Sequence, residues 1–191
     1  EGVNTLTFSP DSLSLASGSV DKMVILWNVG SGENIHVLTA HRKAISDIAF
    51  SPDGLILACT SQDSTITVWN AQNGELVDTL VANVSKDLPA GFTSLSFSPG
   101  GALLAVGSSK GVVFWDTSLW VELRTVSGNV LSLAYAPDGK SMALGLMTGG
   151  VALWDTGNYR LIYTLQKHIR PVTGVAFSMD GNILASVSRD G

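Results

Sequence analysis

The chain runs through short apolar–polar stretches separated by turn-forming clusters, and the same succession returns five times. Each cycle opens on a stretch ending in Phe or Tyr, at 3–8, 45–50, 92–97, 130–135 and 172–177. A turn follows: Ser9-Pro10-Asp11-Ser12, Ser51-Pro52-Asp53-Gly54, Ser98-Pro99-Gly100-Gly101, Ala136-Pro137-Asp138-Gly139 and Ser178-Met179-Asp180-Gly181. Proline second and glycine or serine fourth is type I turn chemistry, so the chain reverses there. A second stretch, rich in small residues, covers 13–18, 55–60, 102–107, 141–146 and 182–187. The third ends in Trp27, Trp69, Trp115 and Trp154. Within it Val24 and Leu26, Ile66 and Val68, Val112 and Phe114, and Val151 and Leu153 share one face, the alternation of a strand. A polar turn leads to a fourth stretch at 33–38, 75–80, 120–126 and 159–165.

The tryptophans step by 42, 46 and 39 residues, and the Phe/Tyr anchors by 42, 47, 38 and 42. Four short antiparallel strands per ~40–45 residues is the signature of a propeller blade. One blade cannot bury both its faces, but stacked neighbours can. The expected class is therefore all-β. The expected organisation is one partial β-propeller over 1–191, with blades at 1–39, 40–81, 82–126 and 127–165 and the first half of a fifth at 166–191. The register calls for another Trp-ended strand after 191 and a fourth strand before residue 1. The expectation is thus a piece of a larger protein with open sheet edges.

Composition narrows the function. Hydrophobic residues make up 45% and charged residues 14%, with a net charge of −5, which excludes a disordered tail. The basic residues form no stripe, so nucleic acid is not an expected partner. Cys59 is the sole cysteine, which rules out an internal disulfide and favours a reducing, cytoplasmic compartment. No apolar run has the length of a membrane span.

Phe50-Ser51-Pro52-Asp53-Gly54, Asp63 ahead of Trp69, and the dipeptides Trp115-Asp116 and Trp154-Asp155 make the whole chain resemble the WD-repeat family. Trp27-Asn28 and Trp69-Asn70 are near matches. The resemblance implies a seven-bladed ring that serves as a scaffold for protein–protein interaction. It also implies a buried tetrad in each blade: His before the first strand, a hydroxyl in the second, Asp in the next turn and Trp in the third, joined by hydrogen bonds. Carried over by position, blade 1 has Ser17, Asp21 and Trp27. Blade 2 has His41, Asp63 and Trp69, with Cys59 in the hydroxyl place, a poorer partner. Blade 3 has Trp115 with Ser109 in the Asp place and no His. Blade 4 has Trp154 with Thr148 there and no His. Blade 5 has His168, Ser186 and Asp190.

A Ser/His/Asp set also suggests a hydrolase, but these sets recur in separate blades inside packed strands, which reads as structure. Gly107-Ser108-Ser109-Lys110-Gly111 fits a nucleophile-elbow pattern but leads into a strand, not a helix, and is read as a turn. His36, His41, His168 and the lone Cys59 make no zinc set, and the turn aspartates make no calcium loop. No catalytic residue, metal or cofactor is expected. A second reading is an enzyme or small-ligand binder using the central channel. On the channel-facing pattern Thr5, Asp47, Ser94, Ser132 and Gly174, Asp47 is the one carboxylate.

Partner contacts are expected at one end of the blades, in the loops entering the first strand and the turns between second and third. That end carries Arg42, Lys43, Lys86, Asp87, Lys110, Lys167, Arg170 and Arg189. Asp11, Asp53, Asp138, Asp155 and Asp180 fall at the other. The extra length of the loop 81–91 adds to this face. An acidic protein surface or peptide is the expected partner. Trp120 and Tyr159 each lie five residues past their blade's Trp, where blades 1 and 2 have Gly32 and Gly74. They are a candidate side patch.

Overall fold

The computed structural model describes residues 2–82 and 91–190. Among these residues every regular element is a β-strand. Blade 1 is β1 (Val3–Phe8), β2 (Ser14–Ser19), β3 (Val24–Asn28) and β4 (Asn34–Leu38). Blade 2 is β5 (Ile45–Phe50), β6 (Ile56–Ser61), β7 (Thr65–Asn70) and β8 (Leu76–Val81). Blade 3 is β9 (Phe92–Phe97), β10 (Leu103–Ser108), β11 (Gly111–Asp116) and β12 (Val121–Ser127). Blade 4 is β13 (Val130–Tyr135), β14 (Ser141–Leu146), β15 (Gly150–Asp155) and β16 (Arg160–Gln166). β17 (Val172–Phe177) and β18 (Leu184–Ser188) form a two-stranded sheet. Each sheet follows chain order, as the hairpin turns require. The all-β class and the four-stranded antiparallel blades are those expected from the alternation.

The chain divides into two compact units, Glu1–Thr93 and Ser94–Gly191. In the first, blades 1 and 2 enclose a core of Ala16, Leu26, Ile45, Ile48, Leu57 and Trp69. In the second, Phe114, Val130, Leu133, Met142 and Leu144 fill the space between blades 3 and 4, and Ala143, Val151 and Val172 the next. Burying each large aliphatic side chain contributes about 1.5–3 kcal/mol, so stacking of blades drives the fold.

The small residues of the second strand have a steric cause. A Cβ on Gly18 would lie 2.5 Å from Ile45 Cγ2, and one on Gly145 would lie 2.9 Å from Val172 Cγ1. The first strand of the next blade seats on these positions. The first strands themselves carry a bulge after Val3, Ile45, Val130 and Val172. A bulge re-aims the side chains just beyond it, here Thr5, Asp47 and Ser132, with Gly174 at the same position of the fifth sheet.

Most second and fourth strands start one or two residues later than the sequence expectation: β2 at Ser14, β4 at Asn34, β6 at Ile56, β8 at Leu76, β10 at Leu103 and β18 at Leu184, as well as β12 and β16. β12 and β16 begin one residue later than 120 and 159, because Trp120 (φ 53°) and Tyr159 (φ 57°) adopt the left-handed conformation. Gly32 and Gly74 hold the same turn position at φ 73°. Backbone in that region cannot pair in a ladder.

Candidate functional site

Blade 2 contains an unbroken chain of hydrogen bonds. The Trp69 indole N–H donates to Thr67 Oγ1 at 2.8 Å, and Thr67 Oγ1 lies 2.9 Å from His41 Nε2. His41 Nδ1 lies 3.2 Å from Asp63 Oδ2. Asp63 also accepts from the Arg42 N–H at 2.7 Å and from the Thr65 hydroxyl at 2.6 Å. This corrects the sequence reading of the hydroxyl place. Cys59 stands there on β6, but it faces Thr67 across the ladder, and Thr67 on β7 supplies the hydroxyl. The hydroxyl has moved one strand over, so blade 2 has the full set.

Every hydrogen in this chain points one way if His41 is neutral with its proton on Nδ1. Burial lowers the His41 pKa despite the charge of Asp63 and the hydrogen bond to it, so the neutral form is favoured. The His41–Asp63 contact is therefore a hydrogen bond rather than an ion pair at neutral pH. Burial pushes the Asp63 pKa upward, but hydrogen bonds from Thr65 and from the Arg42 N–H hold it below its ordinary value.

Blade 1 keeps part of the set, since Trp27 Nε1 donates to Ser17 Oγ at 2.8 Å. Asp21 accepts there from the Met23 N–H. In the fifth sheet His168 Nδ1 lies 3.0 Å from Asp190 and His168 Nε2 lies 3.0 Å from Ser186 Oγ. Blade 3 has Val106 opposite Val113 where blade 2 has Cys59 opposite Thr67. Among the described residues the buried Trp115 Nε1 is without a partner.

A second recurring device escaped the sequence reading. Ser19, Ser61 and Ser188, each ending a second strand, donate to the entry-loop carbonyls of Gly2, Lys43 and Arg170. Ser19 and Ser61 also accept from the N–H of Asp21 and Asp63. A serine two places before the turn Asp is the signal that marks them. These bonds bind entry loop to turn at one end of blades 1 and 2 and of the two-stranded sheet. In the first unit Arg42 and Lys43 are exposed at that end. In the second unit the Gly128 N–H donates to the Lys110 carbonyl, joining the link between blades 3 and 4 to blade 3's turn. Gly149 sits against the carbonyls of His168 and Arg170. Lys110, Arg170 and Arg189 therefore belong to one end of the second unit, with Arg170 and Arg189 exposed. Lys86 and Asp87 lie outside the described residues.

At the opposite ends the turn aspartates are locked locally. The hydroxyls of Ser9, Ser51 and Ser178 donate to Asp11, Asp53 and Asp180. Those bonds lower all three carboxyl pKa values, that of Asp180 to about 2. These ends are anionic at neutral pH.

The first-strand positions expected to face a channel link neighbouring blades within each unit. The Thr5 hydroxyl donates to Asp47 Oδ1 at 2.9 Å, and the same oxygen accepts from the Ile48 N–H. Ser94 Oγ accepts from the Leu133 N–H, and Ser132 Oγ from the Val175 N–H. Tyr159 is half-buried, edge-on to Phe114 with ring centroids 4.9 Å apart, and the Arg124 guanidinium lies 4.7 Å over its ring. It packs against blade 3, the blade before its own. Trp120 is also half-buried. Among the described residues no three His, Cys, Asp or Glu side chains group as metal ligands, and no helix is long and apolar enough to cross a membrane.

The family described as WD domain, G-beta repeat matches residues 1–28, 32–70, 75–116 and 159–191. The matches from 32 and 75 each take in the outer strand of one blade and the inner three of the next. WD repeat-containing protein VIP3 of Arabidopsis thaliana is 33% identical over 51% of this chain and 36% of its own length. Periodic tryptophan protein 2 of Arabidopsis thaliana is 30% identical over 99% of this chain and 21% of its own. The COMPASS component SWD1 of Saccharomyces cerevisiae is 37% identical over 30% of this chain and 15% of its own. The chain thus spans about a third or less of these relatives. With matched repeats over most of its length and four blades whose third strands carry Trp27, Trp69, Trp115 and Trp154, the chain belongs to the WD-repeat family.

Proposed function

We propose that this chain is a non-catalytic scaffold that binds protein partners at the entry-loop end of its blades. The observation that carries the reading is where the histidines and aspartates go. His41 and His168 are each committed through one ring nitrogen to an aspartate and through the other to a hydroxyl. These groups hold entry loops in place and leave the surface of the loops as the functional part. That surface presents Arg42, Lys43, Arg170 and Arg189 on a chain whose net charge is −5. An acidic protein surface or peptide complements it. A relative named as a component of COMPASS supports a role inside a larger assembly. The test is partner recovery from cell extract at physiological salt, comparing wild type with Arg42→Glu/Lys43→Glu and with Arg170→Glu/Arg189→Glu. Each pair should lose partners that wild type retains. Unchanged recovery by both folded variants would remove the basic end from the account.

A second reading, a channel ligand near Asp47, has less support, because Asp47 Oδ1 already bridges Thr5 and the Ile48 N–H. A thermal-shift screen with metals and metabolites tests it, since a bound ligand raises the melting temperature.

A further inference from the structure

Blade 4 leaves open the place that the His41 ring fills in blade 2. Thr148 lies six residues before Trp154, as Asp63 does before Trp69. Ala152 faces Leu144 as Thr67 faces Cys59, and Val130 faces Leu146 as Ile45 faces Ser61. In blade 2 the imidazole sits among these positions, bonded to Asp63 and Thr67. A histidine reaches it because residues 39–44 separate β4 from β5. In blade 4 only Gly128 and Asn129 separate β12 from β13; both line the space, and neither brings an imidazole to it.

The vacated place is a cavity of about 190 Å³, lined by Val130, Leu144, Thr148, Ala152, Trp154 and Leu161 among others. A single water needs only ~10–15 Å³ of such space, so there is room for a ring. The walls are mainly apolar, and the lining also includes the polar residues Ser127, Asn129, Thr148 and Thr164. The indole N–H of Trp27 and of Trp69 each finds a hydroxyl, whereas that of Trp154 donates to no group among the described residues.

We propose that this cavity binds a planar nitrogen heteroaromatic ring of the imidazole type. The ring packs on Trp154 and Leu161, turns an acceptor nitrogen toward the Trp154 indole N–H and a donor toward Thr148. The same chain fills the equivalent place with an imidazole of its own, and that is why this chemistry is assigned. The ring can come from a free small molecule or from a partner's histidine. The proposal does not depend on the basic end of the blades.

The test uses the full chain with ¹⁵N-labelled tryptophan, titrated separately with imidazole, benzimidazole and N-acetyl-histidine methylamide. The Trp154 indole resonance, identified by its loss in Trp154→Phe, should move and saturate while those of Trp27, Trp69, Trp115 and Trp120 stay in place. Thr148→Asp, on an exposed turn, restores the carboxylate that blade 2 has and should tighten imidazole binding about threefold or more. Tighter binding of the blocked histidine than of benzimidazole assigns the site to a partner side chain, and the reverse order to a free molecule. A Trp154 resonance that does not move, a drift shared by all five indoles without saturation, or an affinity unchanged in Thr148→Asp would overturn the proposal.

Discussion

Thr67 and Trp69, two residues apart on one strand, share a 2.8 Å hydrogen bond that carries the blade 2 chain from indole to histidine. Both are buried, so losing the hydroxyl strands two groups at once, the indole N–H and His41 Nε2. Thr67→Val should cost about 2–3 kcal/mol, because buried polar groups without partners bear their full desolvation cost. Cys59→Ala should cost less, since the thiol packs and hydrogen-bonds beside Thr67 but does not stand between the indole and His41. Urea denaturation of the two variants checks the order. A larger loss from Cys59→Ala would return the hydroxyl place to the second strand.

The same chain predicts how stability depends on pH. His41 has its pKa lowered below 6.5 by burial, so folding favours the neutral ring. The stability that this contributes is present above 6.5 and is lost as pH falls from there through the folded value. Asp63, lowered from 3.8, keeps its contribution to still lower pH. Between these two values the unfolded chain binds the extra proton through His41 alone of the pair. The urea midpoint of wild type should therefore fall from pH 7.5 to pH 5, and His41→Gln should show a smaller fall. The other histidines remain in both proteins and cancel. An equal or steeper fall in His41→Gln would contradict a neutral buried ring.

How far the sequence was legible depends on which interactions are periodic. The strands, their hairpin turns and the recurring tryptophans rest on alternation and recur in the order the repeat sets, with most second and fourth strands starting one or two residues late. The Thr67 hydroxyl was missed because a hydroxyl on either of two facing strands reaches the same space, and only the register shows Cys59 opposite Thr67. The entry-loop serines were missed because their partners are backbone carbonyls, which leave no mark on residue type. Trp120 and Tyr159 were matched to Gly32 and Gly74 by counting. That Tyr159 lies against blade 3 depends on packing between blades, which counting within a blade does not contain.

Trp115 offers a test by gain. Its buried indole N–H has no partner among the described residues, and Val113 stands where blade 2 has Thr67. Val113→Thr supplies the missing acceptor with little change of shape. A buried Val→Thr exchange ordinarily costs stability through the hydroxyl. Val68→Thr, at an equally buried position, measures that ordinary cost. Val113→Thr should cost about 1 kcal/mol less than Val68→Thr, the net value of one hydrogen bond. Equal losses in matched denaturation curves would mean that the indole is not reached.

The corner between third and fourth strands decides whether Tyr159 is available to a partner. Left-handed backbone strains any residue with a Cβ by about 1–2 kcal/mol, so Tyr159→Gly relieves a real cost. Against that stand the edge-on contact with Phe114 and the cation over the ring from Arg124. The aromatic pair is worth about 0.5–1.5 kcal/mol beyond its area, and the cation about 0.5–1 kcal/mol at an exposed site. The apolar area that the ring covers adds to these. Packing should win, and Tyr159→Gly should destabilise the protein by about 1 kcal/mol. The glycine corners calibrate the strain. Gly32→Ala meets nothing within 4 Å and should show the backbone cost alone, whereas Gly74→Ala places its Cβ 2.9 Å from the His36 ring and should cost more. Denaturation of the three variants gives the comparison. A stabilised Tyr159→Gly would show that the ring is held only weakly against blade 3, and would return Tyr159 to the candidate partner contacts beside Trp120.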